Sequence, residues 1–338
     1  MRYTFWNNKG GTGKTSLAFQ SICRFAELNP DARILAIDVC PQANLSELML
    51  GGLTNSGSAK LMQRQGQVPR CSIGGYFQLR LPAPYARPAF TAQDFITHPA
   101  QYNAAIPQNI DLVCGDPLLE LQANAVNTLA NAQIPGTDTW IAVIDWISDF
   151  LDSAEGYDYI FFDANPSFSI YTQIALSCSD RLVLPVMADD SSRRAIQNAF
   201  SLVYGLRLPS PIYAAYNFST KLTQAGRELP KVHLLPKNRL TQYMGPASAF
   251  HAVLTAIDQD IQTLLIQQPE LFSFDDLADG IVDVRDFQTT GVVAYAKGLP
   301  FSKLRTGRLD IGGHRVRVDP EMRQNCIDAI DALVSRIT

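Results

Sequence analysis

The chain has 338 residues, of which 46% are hydrophobic and 18% charged, and its net charge at pH 7 is −4. This composition excludes a largely disordered chain, and any contact with nucleic acid must come from a local basic patch. The six cysteines form no Cys-x-x-Cys pair and there are four histidines, so neither a zinc site nor a disulfide framework is indicated. No apolar run approaches membrane-spanning length, and the first residues lead directly into a strand pattern, so we expect a cytoplasmic protein with no membrane contact.

A glycine-rich loop at residues 6–16 lies between an apolar run at 3–5 and another at 17–19, which predicts a strand, a turn and a helix. Glycines let backbone N–H groups close around phosphate oxygens at the start of such a helix. Lys14 supplies a charge for the β- and γ-phosphates, and Thr15 supplies a hydroxyl for Mg²⁺. The predicted nucleotide-binding residues of the loop are Lys9, Gly10, Gly11, Thr12, Gly13, Lys14, Thr15 and Ser16.

The loop departs from the pattern G-x-x-x-x-G-K-S/T, because Asn8 occupies the first glycine position and Lys9 precedes the glycine pair. In this respect it resembles the deviant Walker A motif, K-G-G-x-G-K-S/T, of ParA/MinD-type ATPases. The resemblance implies that Lys9 reaches across a homodimer to the partner's ATP. Lys9, Lys14 and Asp38 are the catalytic residues that it implies.

The predicted helix at 17–29 is followed by a buried parallel strand at 34–38, which delivers Asp38 to the edge of the sheet beside the loop. The segment 38–46 resembles the D-x-D-P-Q-x-N switch of ParA proteins, which lies near Mg²⁺ and the attacking water. Cys40 stands where that switch has its second acid, and a neutral thiol positions water poorly. Hydrolysis is therefore less secure than nucleotide binding, and a packing role for Cys40 is the alternative.

A second apolar run, at 157–163, ends in an acid and resembles the Walker B strand, so Asp163 is the third predicted metal-binding residue beside Thr15 and Asp38. The residues that follow resemble the D-x-P-P-S switch, with Asn165 in place of one proline. The run 181–186 predicts another strand. The segment 188–205 resembles the family's helix on the dimer face.

Residues 51–109 lack a clear period and are interpreted as a variable insertion with short helices, one of them near Ile73–Arg80. Beyond it we predict a strand and turn at 110–115 and an amphipathic helix at 140–151. Two further strands are predicted at 211–216 and 231–235.

Asn238 follows the second of these strands, where the resemblance implies an asparagine that contacts adenine. A turn residue is the alternative. The stretch 288–301 resembles the family's loop over the nucleotide base, and the final helix at 320–337 carries a core-packing stripe.

The region between 297 and 323 has seven basic residues against three acidic ones. The resemblance implies nonspecific DNA binding through such residues, which need only reach phosphates. A solvated charged face is the alternative. The candidate DNA-binding residues are Arg193, Arg194, Lys297, Lys303, Arg305, Arg315 and Arg317.

We therefore expect an α/β fold, a doubly wound, mostly parallel P-loop NTPase sheet with helices on both faces. Residues 1–338 are expected to form one domain, with an insertion at 51–109 and a C-terminal basic and helical part at 288–338. The implied function is a partition ATPase that uses ATP and Mg²⁺, dimerises with ATP, and binds DNA nonspecifically on the nucleoid. A ParB-like or adaptor partner would stimulate it while it positions plasmid, chromosome or protein cargo.

Three alternatives belong to other classes. A nucleotide-locked, weakly hydrolysing or non-hydrolysing DNA-binding scaffold is suggested by Cys40. A metabolic P-loop enzyme would not need Lys9. A reductase similar to the nitrogenase iron protein would need a cysteine just after the Walker B strand, where the sequence has 164–166 without one.

Overall fold

A nine-stranded sheet forms the centre of the computed structural model, which describes residues 1–240 and 249–337. Its strands are β1 (Arg2–Phe5), β2 (Ile34–Val39), β3 (Ile96–Thr97), β4 (Ile110–Val113), β5 (Tyr159–Ala164), β6 (Arg181–Val183), β7 (Val186–Met187), β8 (Lys231–Leu240) and β9 (Ile281–Arg285). The helices are α1 (Lys14–Leu28), α2 (Asn44–Met49), α3 (Gly57–Gln65), α4 (Ile73–Arg80), α5 (Leu118–Ala130), α6 (Thr139–Ile144), α7 (Trp146–Ser153), α8 (Ile170–Ser177), α9 (Asp190–Tyr204), α10 (Phe218–Gln224), α11 (Ala249–Gln267), α12 (Leu277–Gly280), α13 (Gln288–Lys297) and α14 (Pro320–Val334).

The strand order is β3-β4-β2-β5-β1-β6-β8, with β7 continuing the line of β6 along β8 and β9 pairing with β8 on its other side. Every pairing in this sheet is parallel except that between β3 and β4. The predicted doubly wound, mostly parallel fold is confirmed. The phosphate loop leaves the end of β1, which is a central strand.

Helices cover both faces of the sheet. Along β2, Leu35 and Ile37 enter the core beneath α4–α9, whereas Ile34 and Ala36 enter the core beneath α1, α2, α13 and α14. This alternation is the two-residue period of a strand with both faces buried. The final helix packs into the second core as predicted, through residues such as Ile330 and Leu333.

Four predicted elements differ in the structure. The strand expected at 181–186 is divided into β6 and β7. The helix expected at 140–151 is two helices, α6 and α7, which meet at Asp145. The strand expected at 211–216 is a 3₁₀ turn. Pro211 begins this turn, and none of its residues is buried, so the segment does not pack into the core as a sheet strand would. The loop expected at 288–301 begins with a ten-residue helix, α13, which ends at Gly298 in the left-handed conformation.

Residues 51–109, which were interpreted as an insertion with short helices, contain α3, α4 and the short strand β3. The helix α4 occupies the predicted residues, and its aromatic side chains Tyr76 and Phe77 are buried in the core. The strand β3 extends the sheet by pairing antiparallel with β4. The segment therefore completes one edge of the sheet.

A separate two-stranded antiparallel ribbon follows α13 and was not predicted from the sequence. Its strands are β10 (Gly307–Ile311) and β11 (His314–Val318). Gly312 and Gly313 form the turn, both with positive φ (59° and 87°), which suits a two-residue hairpin. Within the described residues, no helix is long and apolar enough to cross a membrane.

Candidate functional site

The phosphate loop joins β1 to α1 with the backbone shape that an anion site needs. Gly11 and Gly13 have φ of 76° and 82°, which favours glycine, and a Cβ built on Gly10 or Gly11 would meet nothing within 4 Å. Gly13 is the N-cap residue of α1, and no side chain caps the helix. The first N–H groups of α1 are thus directed at the open side of the loop, where they favour negative charge.

Lys14 is buried at the bottom of this loop, and its Nζ donates a hydrogen bond to the carbonyl oxygen of Lys9 at 3.1 Å. Burial lowers the pKa of Lys14, although the nearby Asp163 and Cys40 raise it in part. A cation held in this way is stabilised by an anion placed within the loop. Lys14 therefore lies in the loop where its predicted phosphate contact would form.

Asp38 and Asp163 lie opposite each other on the adjacent strands β2 and β5, and Asp163 is also in register with Phe5 at the end of β1. Burial raises the pKa of both carboxyl groups, and the charge of Asp163 raises that of Asp38 further. The Thr15 hydroxyl and Lys14 lower the pKa of Asp163 in part. Two acids at the end of parallel strands, beside the loop, are the arrangement that the sequence predicted.

The two acids differ in their hydrogen bonds. Asp38 accepts from the backbone N–H of Cys40 at 3.2 Å, and from the N–H and hydroxyl of Ser46 at 2.9 and 2.7 Å. Oδ1 of Asp163 is buried without a hydrogen-bond partner in the described part of the chain. Asp38 therefore fixes the loop that follows β2, while Asp163 keeps an oxygen available for a ligand.

The two carboxylates and the Thr15 hydroxyl suit a Mg²⁺ ion that is bound together with nucleotide. The described residues contain no cluster of three or more His, Cys, Asp or Glu side chains that could hold a metal ion alone. Mg²⁺ is usually held by one or two carboxylates together with phosphates and water, and Asp163, Asp38 and the Thr15 hydroxyl are the side chains that would serve. When bound, the ion would neutralise phosphate charge.

Cys40 is buried next to both acids. Burial, and then the charges of Asp38 and Asp163, raise the pKa of its thiol to about 12. The thiol is therefore neutral at physiological pH and cannot serve as a carboxylate would. This position is compatible with a packing role for Cys40, and also with the absence of a carboxylate that could position water.

Lys9 forms an ion pair within its own chain. Its Nζ donates to the two carboxylate oxygens of Asp189 at 2.6 and 2.5 Å and to the Ser192 hydroxyl at 3.2 Å. Partial burial raises the pKa of Asp189, but hydrogen bonds from Lys9, Ser191 and Ser192 outweigh that effect and bring it to about 2. Sequence reasoning missed Asp189, although an aspartate at this position, directly before α9, is typical of a helix N-cap.

A cavity of about 640 Å³ lies beside the loop, lined by Gly13, Asn238 and apolar side chains of α1 and α13 such as Phe19 and Val292. Its size and apolar lining suit a nucleotide base. Asn238 lies within β8, not past its end, and its Nδ2 donates to the carbonyl oxygen of Thr12 at 2.8 Å. It thus positions the loop at the mouth of the cavity.

Several lining residues were not predicted, among them Arg239 and Phe287. Arg239 is exposed and has φ of 60°, a strained conformation for a non-glycine residue. Phe287 directly precedes α13 and also lines the cavity. Only the proximity of Arg239 to Asn238 in the sequence could have indicated it.

The candidate DNA-binding residues fall on two sides of the sheet. Arg193 pairs with Asp260 at 2.8 Å and Arg194 pairs with Asp190, both on the α9 side. The C-terminal candidates lie near α13 and α14, on the opposite face. There, Lys303 approaches Glu27 at 3.8 Å, Lys297 is half-buried, and the exposed residues without an ion pair among those described are Arg305, Arg315 and Arg317.

Residues 3–207, more than half of the chain, match the family model described as an AAA domain. Together with the deviant loop and the sheet order, this match decides the family. The chain belongs to the ParA/MinD-type P-loop ATPase family. The resemblance inferred from the sequence is thereby confirmed.

Solved structures resemble this ParA/MinD-type chain over its whole length. Apo McdA of Cyanothece has a TM-score of 0.58 at 14% identity and covers 98% of both chains. A putative plasmid partition protein of Borrelia burgdorferi B31, bound to AMPPNP, has a TM-score of 0.54 at 14% identity and covers 99% of this chain and 98% of that one. At such identities the likeness establishes the fold.

Among curated proteins, the uncharacterized protein Rv1708 of Mycobacterium tuberculosis is 26% identical over 191 residues. The match covers 56% of this chain and 48% of that protein. The chain thus spans about half the length of the curated relatives that it matches.

The loop geometry makes Gly13 a sensitive position. In Gly13→Ala the new Cβ would collide with Nδ2 of Asn238 in a left-handed backbone, so we expect nucleotide affinity to fall at least about tenfold. A fluorescent ATP analogue measures this affinity. Gly136→Ala is the matched control, because Gly136 also has positive φ (76°) but nothing within 4 Å of its Cβ. Equal affinity in the two variants would contradict the assignment of the loop.

The two buried acids predict a pH dependence of stability in metal-free buffer. A carboxyl group whose pKa is raised by folding stabilises the folded state below about pH 4, and this contribution is lost as pH rises through the raised pKa. The free energy of unfolding should therefore fall by more than about 1 kcal/mol between about pH 5 and about pH 8 because of these groups. Denaturant titrations at a series of pH values measure it.

Asp163→Asn should flatten this decline, because it removes one titrating acid and the charge that raises the pKa of Asp38. Asp31→Asn, at an exposed position, is the control and should leave the profile unchanged. Parallel profiles for the wild type and Asp163→Asn would show that the acid pair does not govern the pH dependence.

Proposed function

We propose that the chain is an ATPase that dimerises with ATP, binds DNA nonspecifically in that state, and positions plasmid, chromosome or protein cargo with a ParB-like or adaptor partner. The observation that carries this proposal is the convergence of the loop, Lys14 and the acid pair at one edge of the sheet, with Lys9 beside them. The setting would be the cytoplasm, on the nucleoid. The names of the similar structures, a partition protein bound to AMPPNP among them, support the proposal.

Nucleotide would enter with its phosphates in the loop and its base in the apolar cavity. The open space above Gly10 and Gly11 and the uncapped start of α1 suit the phosphates. Lys14 would then exchange its hydrogen bond to a carbonyl oxygen for phosphate oxygens. Asn238 would approach the base from the mouth of the cavity, where its amide can both donate and accept hydrogen bonds.

Dimerisation follows from charge. Two triphosphates facing each other across an interface repel, and a lysine from each protomer reduces that repulsion. Lys9 must leave Asp189 to reach the partner. The side chains of this pair are 22% and 39% exposed, so water already screens part of the attraction that the exchange gives up.

A second candidate function is a nucleotide-locked scaffold that binds DNA and hydrolyses ATP weakly or not at all. The neutral Cys40 thiol favours it, because no carboxylate stands at that position to orient water. Both candidates share ATP binding and dimerisation, and they differ in turnover. Phosphate release at matched protein concentration, with and without DNA, separates them.

Lys9→Ala tests the dimer. We expect the variant to bind ATP but to remain monomeric with it, because the lysine that would reach the partner's triphosphate is gone. Its hydrolysis should fall by about 10³-fold or more if Lys9 acts like an arginine finger. Light scattering with and without ATP measures the mass. Lys231→Ala, at an exposed position where β8 begins, is the control, and normal dimerisation and hydrolysis by Lys9→Ala would refute the mechanism.

Cys40→Asp tests whether residue 40 limits hydrolysis. A carboxylate at this position can orient and polarise the attacking water, so we expect phosphate release to rise by about 10²-fold. Cys40→Ser keeps a small neutral group and should leave the rate unchanged. Should Cys40→Asp bind ATP normally and release phosphate no faster than Cys40→Ser, residue 40 does not limit hydrolysis.

A further inference from the structure

The ribbon formed by β10 and β11 has one apolar and one polar face. Leu309, Ile311 and Val316 pack toward the core beneath α13, and Val318 is fully buried. The opposite face carries Arg308, which is paired across the strands with Arg317, and Asp310, which is paired with Arg315. All four of these polar residues are exposed. The ribbon therefore presents three arginines and one aspartate to solvent.

The pairing of Arg308 with Arg317 is unfavourable by itself. Side chains directly opposite in an antiparallel pair have Cβ atoms about 5 Å apart, and like charges at that distance destabilise the ribbon. Neither arginine has an ion pair with any residue in 1–240 or 249–337, and Asp310, on the same face, accepts a hydrogen bond from the N–H of Gly313 at 3.2 Å. The folded chain leaves these guanidinium groups available to an external anion.

The surroundings favour a polyanion with regularly spaced phosphates. Every apolar side chain of the two strands points inward, so the outer face offers nothing to insert into a lipid layer. Arginine forks match phosphate oxygens, and a two-stranded ribbon is narrow enough for the major groove of DNA. By contrast, Arg193 and Arg194 are already ion-paired within the protomer.

We propose that the outer face of the β10–β11 ribbon is the surface that contacts the DNA backbone, through Arg308, Arg315 and Arg317. This inference rests on the proposed function, since it assigns a place to the DNA binding in it. Arg308 was not among the candidates taken from the sequence. The register of the ribbon adds it, whereas Arg193 and Arg194 are ion-paired on α9, beneath the other face of the sheet.

The test compares the wild type with Arg308→Thr/Arg317→Thr by fluorescence anisotropy on a labelled random-sequence duplex, in ATP, over a series of salt concentrations. Each lost phosphate contact reduces the slope of log affinity against log salt by about 0.9, so we expect a decrease of about 2 and a lower affinity at every salt concentration. Thermal unfolding should show a variant at least as stable as the wild type, because the repulsion is removed.

Two controls accompany the test. Arg308→Lys/Arg317→Lys keeps the charges and should retain most of the salt slope. Arg207→Ser/Lys231→Ser removes two exposed charges elsewhere and should bind as the wild type does. ATP binding and ATP-dependent mass, measured for each variant, should be unchanged.

The outcomes separate the two proposals. If the wild type binds DNA and the threonine variant binds with the same slope, the ribbon assignment is wrong and the proposed function stands. If the wild type binds no DNA in any nucleotide state, the DNA part of the proposed function fails. Binding of the wild type to vesicles of phosphatidylserine and phosphatidylcholine, but not to the duplex, would overturn the ribbon assignment in favour of a membrane surface.

Discussion

The parallel pairing of β5 with both β1 and β2 is the constraint on which the site depends. It places Asp163 beside Asp38 and level with the end of β1, from which the phosphate loop departs. Three segments that are far apart in the sequence thereby bring two acids and Lys14 into one low-dielectric region. Their mutual effects on pKa follow from that burial, because charges there are poorly screened by water.

The fold and this edge of the sheet could be predicted because their signals are local. Each buried parallel strand reads as an apolar run, and the acid that ends the run marks the carboxyl edge. The loop has its own residue pattern, and its order before Asp38 and Asp163 fixes the family. Asn238 was expected just past a strand, but it lies within β8, and its contact with the loop was not predicted.

Other features depend on contacts that no local pattern encodes. The ion pair between Lys9 and Asp189 joins residues 180 positions apart, and nothing in either segment specifies the other. The sequence of α13 was predicted to be a loop. Its apolar side chains line the cavity beside α1, and this contact could not be predicted from the sequence. The ribbon is a different case, because Gly312 and Gly313 between alternating apolar and basic residues are a hairpin signal that the count of basic charges obscured.

One ribbon would offer few phosphate contacts, so the affinity for DNA would depend on how many ribbons one particle carries. ATP could therefore control DNA binding through dimerisation. Under the proposed function, three arginines would support only weak binding at physiological salt, since nonspecific affinity grows with the number of phosphates neutralised. A dimer would carry two ribbons, and linking them would make the second contact intramolecular, which would raise the overall affinity without any new interaction. ATP would then control DNA binding by controlling the number of ribbons in one particle. The ribbon itself, held by its apolar face against α13, would not have to move.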